Sequence, residues 1–252
     1  MKIKFLGTGT STGVPEIGCK CEVCTSNNIK DRRLRASVLV HTGKGKILID
    51  CGPDFRQQIM DEKFTPIDGV LLTHEHYDHV GGLDDLRPFC KFDDVDIYSG
   101  STTLNALKLR IPYSFSEHKY PGVPIFRLHE VNTDETFSVC GINIQPIKIM
   151  HHKLPILGYR IGNFAYLTDV KSIPEEEYLK LKGLDILVIN ALRIEEHMSH
   201  LNLEQALAEV EKIKPRKAYF IHMSHHIGLH EKVQEQLPEY IFLSYDGLEI
   251  EV

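Results

Sequence analysis

The chain has 252 residues, with 29 lysines and arginines against 35 aspartates and glutamates and a formal net charge of −6. That balance argues against a broad nucleic-acid surface, which would show a basic patch or a strongly basic pI. Histidine is abundant, 14 residues against no tryptophan, and imidazole is the commonest metal ligand in proteins.

The chain opens on KIKFLG (2–7), a strand pattern that runs straight into GTGTSTGVP (7–15). This glycine-rich loop lacks the terminal Gly-Lys-Ser/Thr of a phosphate-binding P-loop, and turn geometry alone accounts for its glycines. No signal-type apolar run opens the chain and no stretch reaches membrane-span length, so the expected setting is cytoplasmic and reducing. GCKCEVC (18–24) follows, with Cys19, Cys21 and Cys24 in six positions. Disulfides need pairs and closed tetrahedral metal sites need four ligands. Either one thiol is idle or a fourth ligand arrives from elsewhere. A redox pair at Cys21 and Cys24 is the alternative, and an iron–sulfur cluster would want a fourth cysteine.

Further strands are predicted at SVLVHT (37–42), KILID (46–50), GVLLT (69–73) and VDIYSG (95–100). Others follow around 124–131 and at INIQPIKIM (142–150), FAYLT (164–168), DILVIN (185–190), KAYFIH (217–222) and YIFLSY (240–245). All are apolar or alternating runs that end in turn residues. Helices are predicted at FRQQIM (55–60), GLDDLRPF (82–89), TLNALKL (103–109) and LNLEQALAEVEKIK (201–214). The last repeats apolar residues at i, i+3 and i+4 spacing, with Asn202 as N-cap and Pro215 as the stop. No linker, repeat or low-complexity segment is visible, so one domain over 1–252 is expected, as stacked sheets with helices outside.

The most specific stretch is GVLLTHEHYDHVGGL (69–83). An apolar strand runs out at Thr73, and His74, His76, Asp78 and His79 follow. In extended backbone alternate side chains share a face, so His74 and His76 can point together. A turn at Tyr77 then offers Asp78 and His79 to a second position. Solvated loop residues would explain one such histidine, not four ligand types in six residues.

This His-x-His-x-Asp-His pattern resembles the metallo-β-lactamase superfamily. The resemblance implies an α/β (α+β) fold, a four-layer αββα sandwich with a dinuclear metal site along one edge. The further ligand types occur in order at strand ends: His151 or His152 after 147–150, Asp169 after FAYLT, and His222 after KAYFI. By the resemblance, His74, His76 and His151 hold one metal, Asp78, His79 and His222 hold the other, and Asp169 bridges. His151 is preferred to His152 because KLPILGYR follows it as in the relatives.

Past His222 stand His225, His226 and His230. Three cysteines and a surplus histidine make a Cys3His set, a common structural zinc site. This matches the phosphonate-operon phosphodiesterase branch, which implies a zinc knuckle of Cys19, Cys21, Cys24 and His225, with His226 or His230 as alternative fourth ligands.

The implied cofactors are two divalent ions, zinc or manganese with iron as an alternative, and one structural zinc. The implied reaction is hydrolysis of a small or cyclic phosphodiester, or a nucleotide-like substrate, through a metal-bridging hydroxide. His200, in the loop before the 201–214 helix, is the expected general acid. His197 is a weaker candidate, and Asp78 counts as catalytic through its ligand position. No membrane association and no stable nucleic-acid complex are expected, and a homodimer is one option. The alternatives are a tRNA 3′-processing-type nuclease, a glyoxalase-type thioesterase and a non-catalytic cofactor-biosynthesis accessory protein. The nuclease is disfavoured because 90–125 contains no glycine- and lysine-rich insertion.

Overall fold

The computed structural model describes residues 1–252 and places two seven-stranded sheets face to face. The first runs β14 (Glu249–Glu251), β1 (Lys2–Gly7), β2 (Ser37–His41), β3 (Lys46–Ile49), β4 (Gly69–Leu71), β5 (Val95–Ser99) and β6 (Phe126–Glu130). The second runs β13 (Ile241–Leu243), β12 (Lys217–Ile221), β11 (Ile186–Asn190), β10 (Phe164–Leu167), β9 (Leu154–Ile161), β8 (Ile142–His151) and β7 (Phe137–Val139).

Each sheet is parallel through the half that matters for the site. β3 to β6 pair in parallel, as do β10 to β13. Parallel strands covered on both faces read as continuous apolar runs, which is why FAYL and ILVIN are buried at every position. Between the sheets, Ile3, Phe5, Val38 and Ile47 meet Tyr159, Tyr166, Val188 and Tyr219 in one apolar layer. Each large side chain buried there contributes roughly 1.5–3 kcal/mol.

Helices close the two outer faces. Over the first sheet lie α1 (Phe55–Ile59), α2 (Tyr77–Val80), a 3₁₀ segment over Leu83–Lys91 and α3 (Ser101–Arg110). Over the second, α4 (Leu203–Ile213) and α5 (His230–Gln234) pack Ala206, Val210 and Val233 onto Leu187, Ile189 and Phe220. The result is the expected αββα sandwich.

α4 starts as its sequence predicts. The Asn202 side chain accepts from the Gln205 amide, and the Gln205 side chain returns to the Asn202 amide. Its end differs: Lys214 adopts a left-handed conformation at φ 56° and caps the helix before Pro215 is reached.

Other segments also depart from the sequence reading. The predicted helix at 82–89 is instead a 3₁₀ segment, with Pro88 inside it. The turn at Tyr77 is the short helix α2. The strands β7, β9 and β14 were not predicted. In β9, LPILGYRI, Pro155 and Gly158 interrupt the pattern. Gly158 is there because a Cβ would lie 2.3 Å from Leu167 Cδ2 on β10. Pro146 fits inside β8 because the neighbouring β7 pairs only with Ile142–Ile144, so its missing amide breaks no ladder. No helix is long and apolar enough to cross a membrane.

Candidate metal centre

Five strands end at one edge of the sandwich, and each, with the short helix α2 after β4, delivers polar side chains there. β3 releases Asp50, β4 leads into Thr73-His74-Glu75-His76, and α2 carries Asp78 and His79. β8 ends on His151, β10 is followed by Asp169, and β12 by His222. Asp50, Asp169 and His222 have φ of 61°, 57° and 57°. This left-handed conformation is unusual for residues other than glycine and occurs where surrounding structure holds a functional geometry. Two glycines let the loops approach. A Cβ on Gly52 would lie 2.1 Å from Asp78 O, and one on Gly82 would lie 2.0 Å from Gly52 O.

The side chains form overlapping groups, each with one ligand atom per residue inside a 4.8 Å span: His74–His76–His151, Asp78–His79–His222 and His74–His79–Asp169. His74 Nε2 lies 3.0 Å from His76 Nδ1. His79 Nε2 is 3.2 Å from both Asp78 Oδ2 and Asp169 Oδ2. His222 Nε2 is 3.3 Å from Asp78 Oδ2 and from Asp169 Oδ1. Asp169 touches the second triad through His79 and His222, and reaches the first through its groupings with His74 and with His151 and His200. The hairpin side chain brought to the site is His151; His152 is exposed, with φ 56°.

Electrostatics follow from burial and crowding. Burial pushes the Asp78 carboxyl up, but the charge of the adjacent His79 and a hydrogen bond from His222 hold it far below its usual range. Asp169 likewise resists burial, held well down by His222, His79 and a hydrogen bond from His200. Burial pushes His74 and His151 down, keeping both imidazoles neutral. His79 is the exception: burial lowers it, but Asp78, Asp169 and Asp50 together raise it well above the ordinary histidine range.

The residues fit divalent ions. His79 Nε2 is fully buried without a hydrogen-bond partner, although two carboxylates lie 3.2 Å away. A buried imidazole nitrogen left that way suits a coordination position. His74 and His151, held neutral, and the ionised Asp78 and Asp169 are in the forms that ligate.

Sequence reasoning missed Asp50. It is fully buried, accepts hydrogen bonds from the Thr73 amide (2.9 Å) and hydroxyl (3.0 Å), and pairs with His79 Nδ1 at 2.7 Å. It thus fixes the ring that points Nε2 into the centre. The signal was present: KILID ends a buried strand on a carboxylate, as FAYLTD does.

His200 reaches the same centre from the loop before α4. Its Nε2 is 2.8 Å from Asp169 Oδ1, and its ring stacks on His222. His197 stands behind it, 3.1 Å away between Nδ1 atoms.

A second cluster lies outside this edge. Cys19, Cys21, Cys24 and His225 present their ligand atoms within 4.8 Å of one another. Cys24 Sγ is 3.2 Å from His225 Nδ1 across 201 residues of sequence, and the Glu16 amide donates to the same sulfur. Burial raises the Cys24 thiol to about 12, whereas a hydrogen bond from the Cys24 amide lowers Cys21. His226 is exposed beside His225, and His230 turns to the Asp31–Arg33 cluster. Neither joins the cysteines.

Fold and site together define a protein of the metallo-β-lactamase fold with His/Asp clusters suited to metal binding. The chain belongs to the β-lactamase superfamily: the family model described as Beta-lactamase superfamily domain matches residues 46–223. It is 48% identical over 251 residues to a Porphyromonas gingivalis protein named octanoyltransferase, a match that covers 99% of this chain and 51% of that protein. The chain thus spans about half the length of that relative. Among solved structures, a diphosphatase from the PhnP family superposes with a TM-score of 0.92 at 40% identity, covering 100% of this chain and 97% of that one. Zinc-bound PqqB from Methylobacterium extorquens superposes with a TM-score of 0.81 at 20% identity, over all of both chains, a likeness of fold alone.

Proposed function

We propose that the protein is a dinuclear metal-dependent phosphodiesterase acting on small or cyclic phosphate esters. The observation that carries this reading is the pair of three-ligand groups meeting at Asp169. The full-length likeness to a PhnP-family diphosphatase supports phosphorus chemistry over other hydrolyses of the superfamily. His74, His76 and His151 would hold one ion and Asp78, His79 and His222 the other, with Asp169 between. Bound ions supply Lewis acidity and water activation near neutral pH.

The chain's own residues supply the rest. Asp169 Oδ1 accepts from His200 Nε2 at 2.8 Å and so orients the ring at the site's edge, and His200 is the residue assigned to protonate a leaving oxygen there. Burial lowers His200 while Asp169 raises it, and the net shift is downward. Ser199 and His197 hold the other ring nitrogen. Asp50 locks His79 from behind. The Cys19–Cys21–Cys24–His225 set would hold a structural zinc that pins the N-terminal loop three residues from His222.

The test reconstitutes the protein separately with zinc and manganese and offers bis(p-nitrophenyl) phosphate beside p-nitrophenyl phosphate. Preferential diester turnover supports the reading; monoester preference, or no turnover with ions bound, overturns it. A second reading is acyl-ester or thioester hydrolysis, favoured by the name of the Porphyromonas relative. Turnover of an octanoyl thioester, with none of the diester, would select it.

A further inference from the structure

A cavity of about 330 Å³ lies on the outer face of the first sheet, away from both ligand clusters. Its walls come from α1, the 60–67 loop and the 3₁₀ segment. Ile59, Met60, Phe64, Ile67 and Phe89 make them apolar. Met60 is 64% and Phe64 43% exposed, although Phe64 already stacks edge-on against Phe89 at 5.0 Å. Large apolar side chains left open around a concave site mark a binding surface.

The charge at its rim selects the ligand. Arg56 and Lys63 line the cavity, are exposed, and form no ion pair. Lys46 adds a third cation, its Nζ donating to Lys63 O. Of the two acids present, Glu62 is held by Lys4 from outside the cavity at 2.6 Å, leaving Asp85 as the only uncommitted one. An apolar recess with a cationic rim suits a molecule with an apolar chain and one anionic end.

We propose that this cavity binds a medium-chain fatty carboxylate. The chain lies among Ile59, Phe64 and Phe89, and the carboxylate faces Arg56 and Lys63. The site needs neither metal ion and stands whichever ester the metal centre hydrolyses.

Isothermal titration of the zinc-loaded, full-length protein tests it with butyrate, octanoate and octanol. Octanoate should bind about tenfold or more tighter than butyrate, as the additional buried methylenes require. Phe64→Ser should abolish that chain-length preference. Arg56→Ala combined with Lys63→Ala should weaken octanoate about three- to fivefold, the worth of exposed charge pairs, and leave octanol unchanged. Equal binding of butyrate and octanoate overturns the proposal, as does octanoate binding that is indifferent to Phe64→Ser. Sedimentation velocity supplies the other arm: a dimer dissolved by Phe64→Ser would assign the face to a second copy of the chain and overturn the carboxylate site.

Discussion

The two ligand clusters are built on opposite plans. The His/Asp centre draws its side chains from the ends of β4, β8, β10 and β12, and therefore from both sheets. The cysteine cluster takes three ligands from six consecutive positions and one from across the chain. In the first, the sandwich core brings the side chains together, and buried Asp50 orients one ring from behind. In the second, only Val14, Val23 and Cys24 form a small buried cluster under the loop. A centre assembled by a large core tolerates loss of its ion; a loop with almost no core of its own depends on one.

Removing ligands separates the two. Asp169→Ala should abolish diester hydrolysis and cut the ions bound at the sheet edge, with little change in folded secondary structure; metal analysis and circular dichroism read the two effects. Cys24→Ser should do the reverse. It should release one zinc and lower Tm by roughly 5–15 °C, as a loss of a few kcal/mol does in a chain this long. If Cys24→Ser left zinc content and Tm unchanged, the knuckle would carry no ion.

Smaller changes sharpen the contrast. His200→Ala should slow esters with poor leaving groups about 10²-fold and those with good leaving groups far less, the mark of a general acid. An equal loss on both would give His200 a structural or ligand role instead. Asp50→Asn keeps the shape but weakens the grip on His79, and should reduce metal affinity about tenfold, within the range for outer-shell partners.

A further prediction concerns Asp246, which belongs to neither cluster. Burial raises its carboxyl to about 7, against hydrogen bonds from the Leu34 amide and the Thr8 hydroxyl that lower it. The folded state therefore holds a proton that the unfolded state releases near pH 4, so this group's contribution to stability falls as pH rises from about 4 to about 7. Asp246→Asn should flatten that part of the stability profile, read as the urea midpoint against pH; an unchanged profile would place the titration elsewhere.

Where sequence reading succeeded, the chemistry was local. His74, His76, Asp78 and His79 lie within six residues at the end of one apolar strand, and Cys19, Cys21 and Cys24 are as compact. Asp169 and His222 were picked out by the resemblance, which calls for a ligand type at each of those strand ends. The resemblance to a superfamily supplied the αββα arrangement, since periodicity does not specify which strands pair. Asp50 escaped notice although it follows an apolar run as Asp169 does, because that run alone does not say what the carboxylate meets. Its meaning comes from Thr73 and His79, more than 20 residues away. β9 escaped because a glycine and a proline broke its alternation for reasons that lie on neighbouring strands.

By itself, then, the sequence marked the candidate ligand types, their order and most of the apolar strands, because clustered ligand types and strand burial both leave short-range marks. Only the tertiary structure decided which side chains share a centre: His151 rather than His152, His225 rather than His226 or His230, and His200 against Asp169. Those choices depend on side-chain direction at the ends of strands, set by backbone conformations such as the left-handed turns at Asp50, Asp169 and His222. The contacts that hold such turns come from segments remote in the chain.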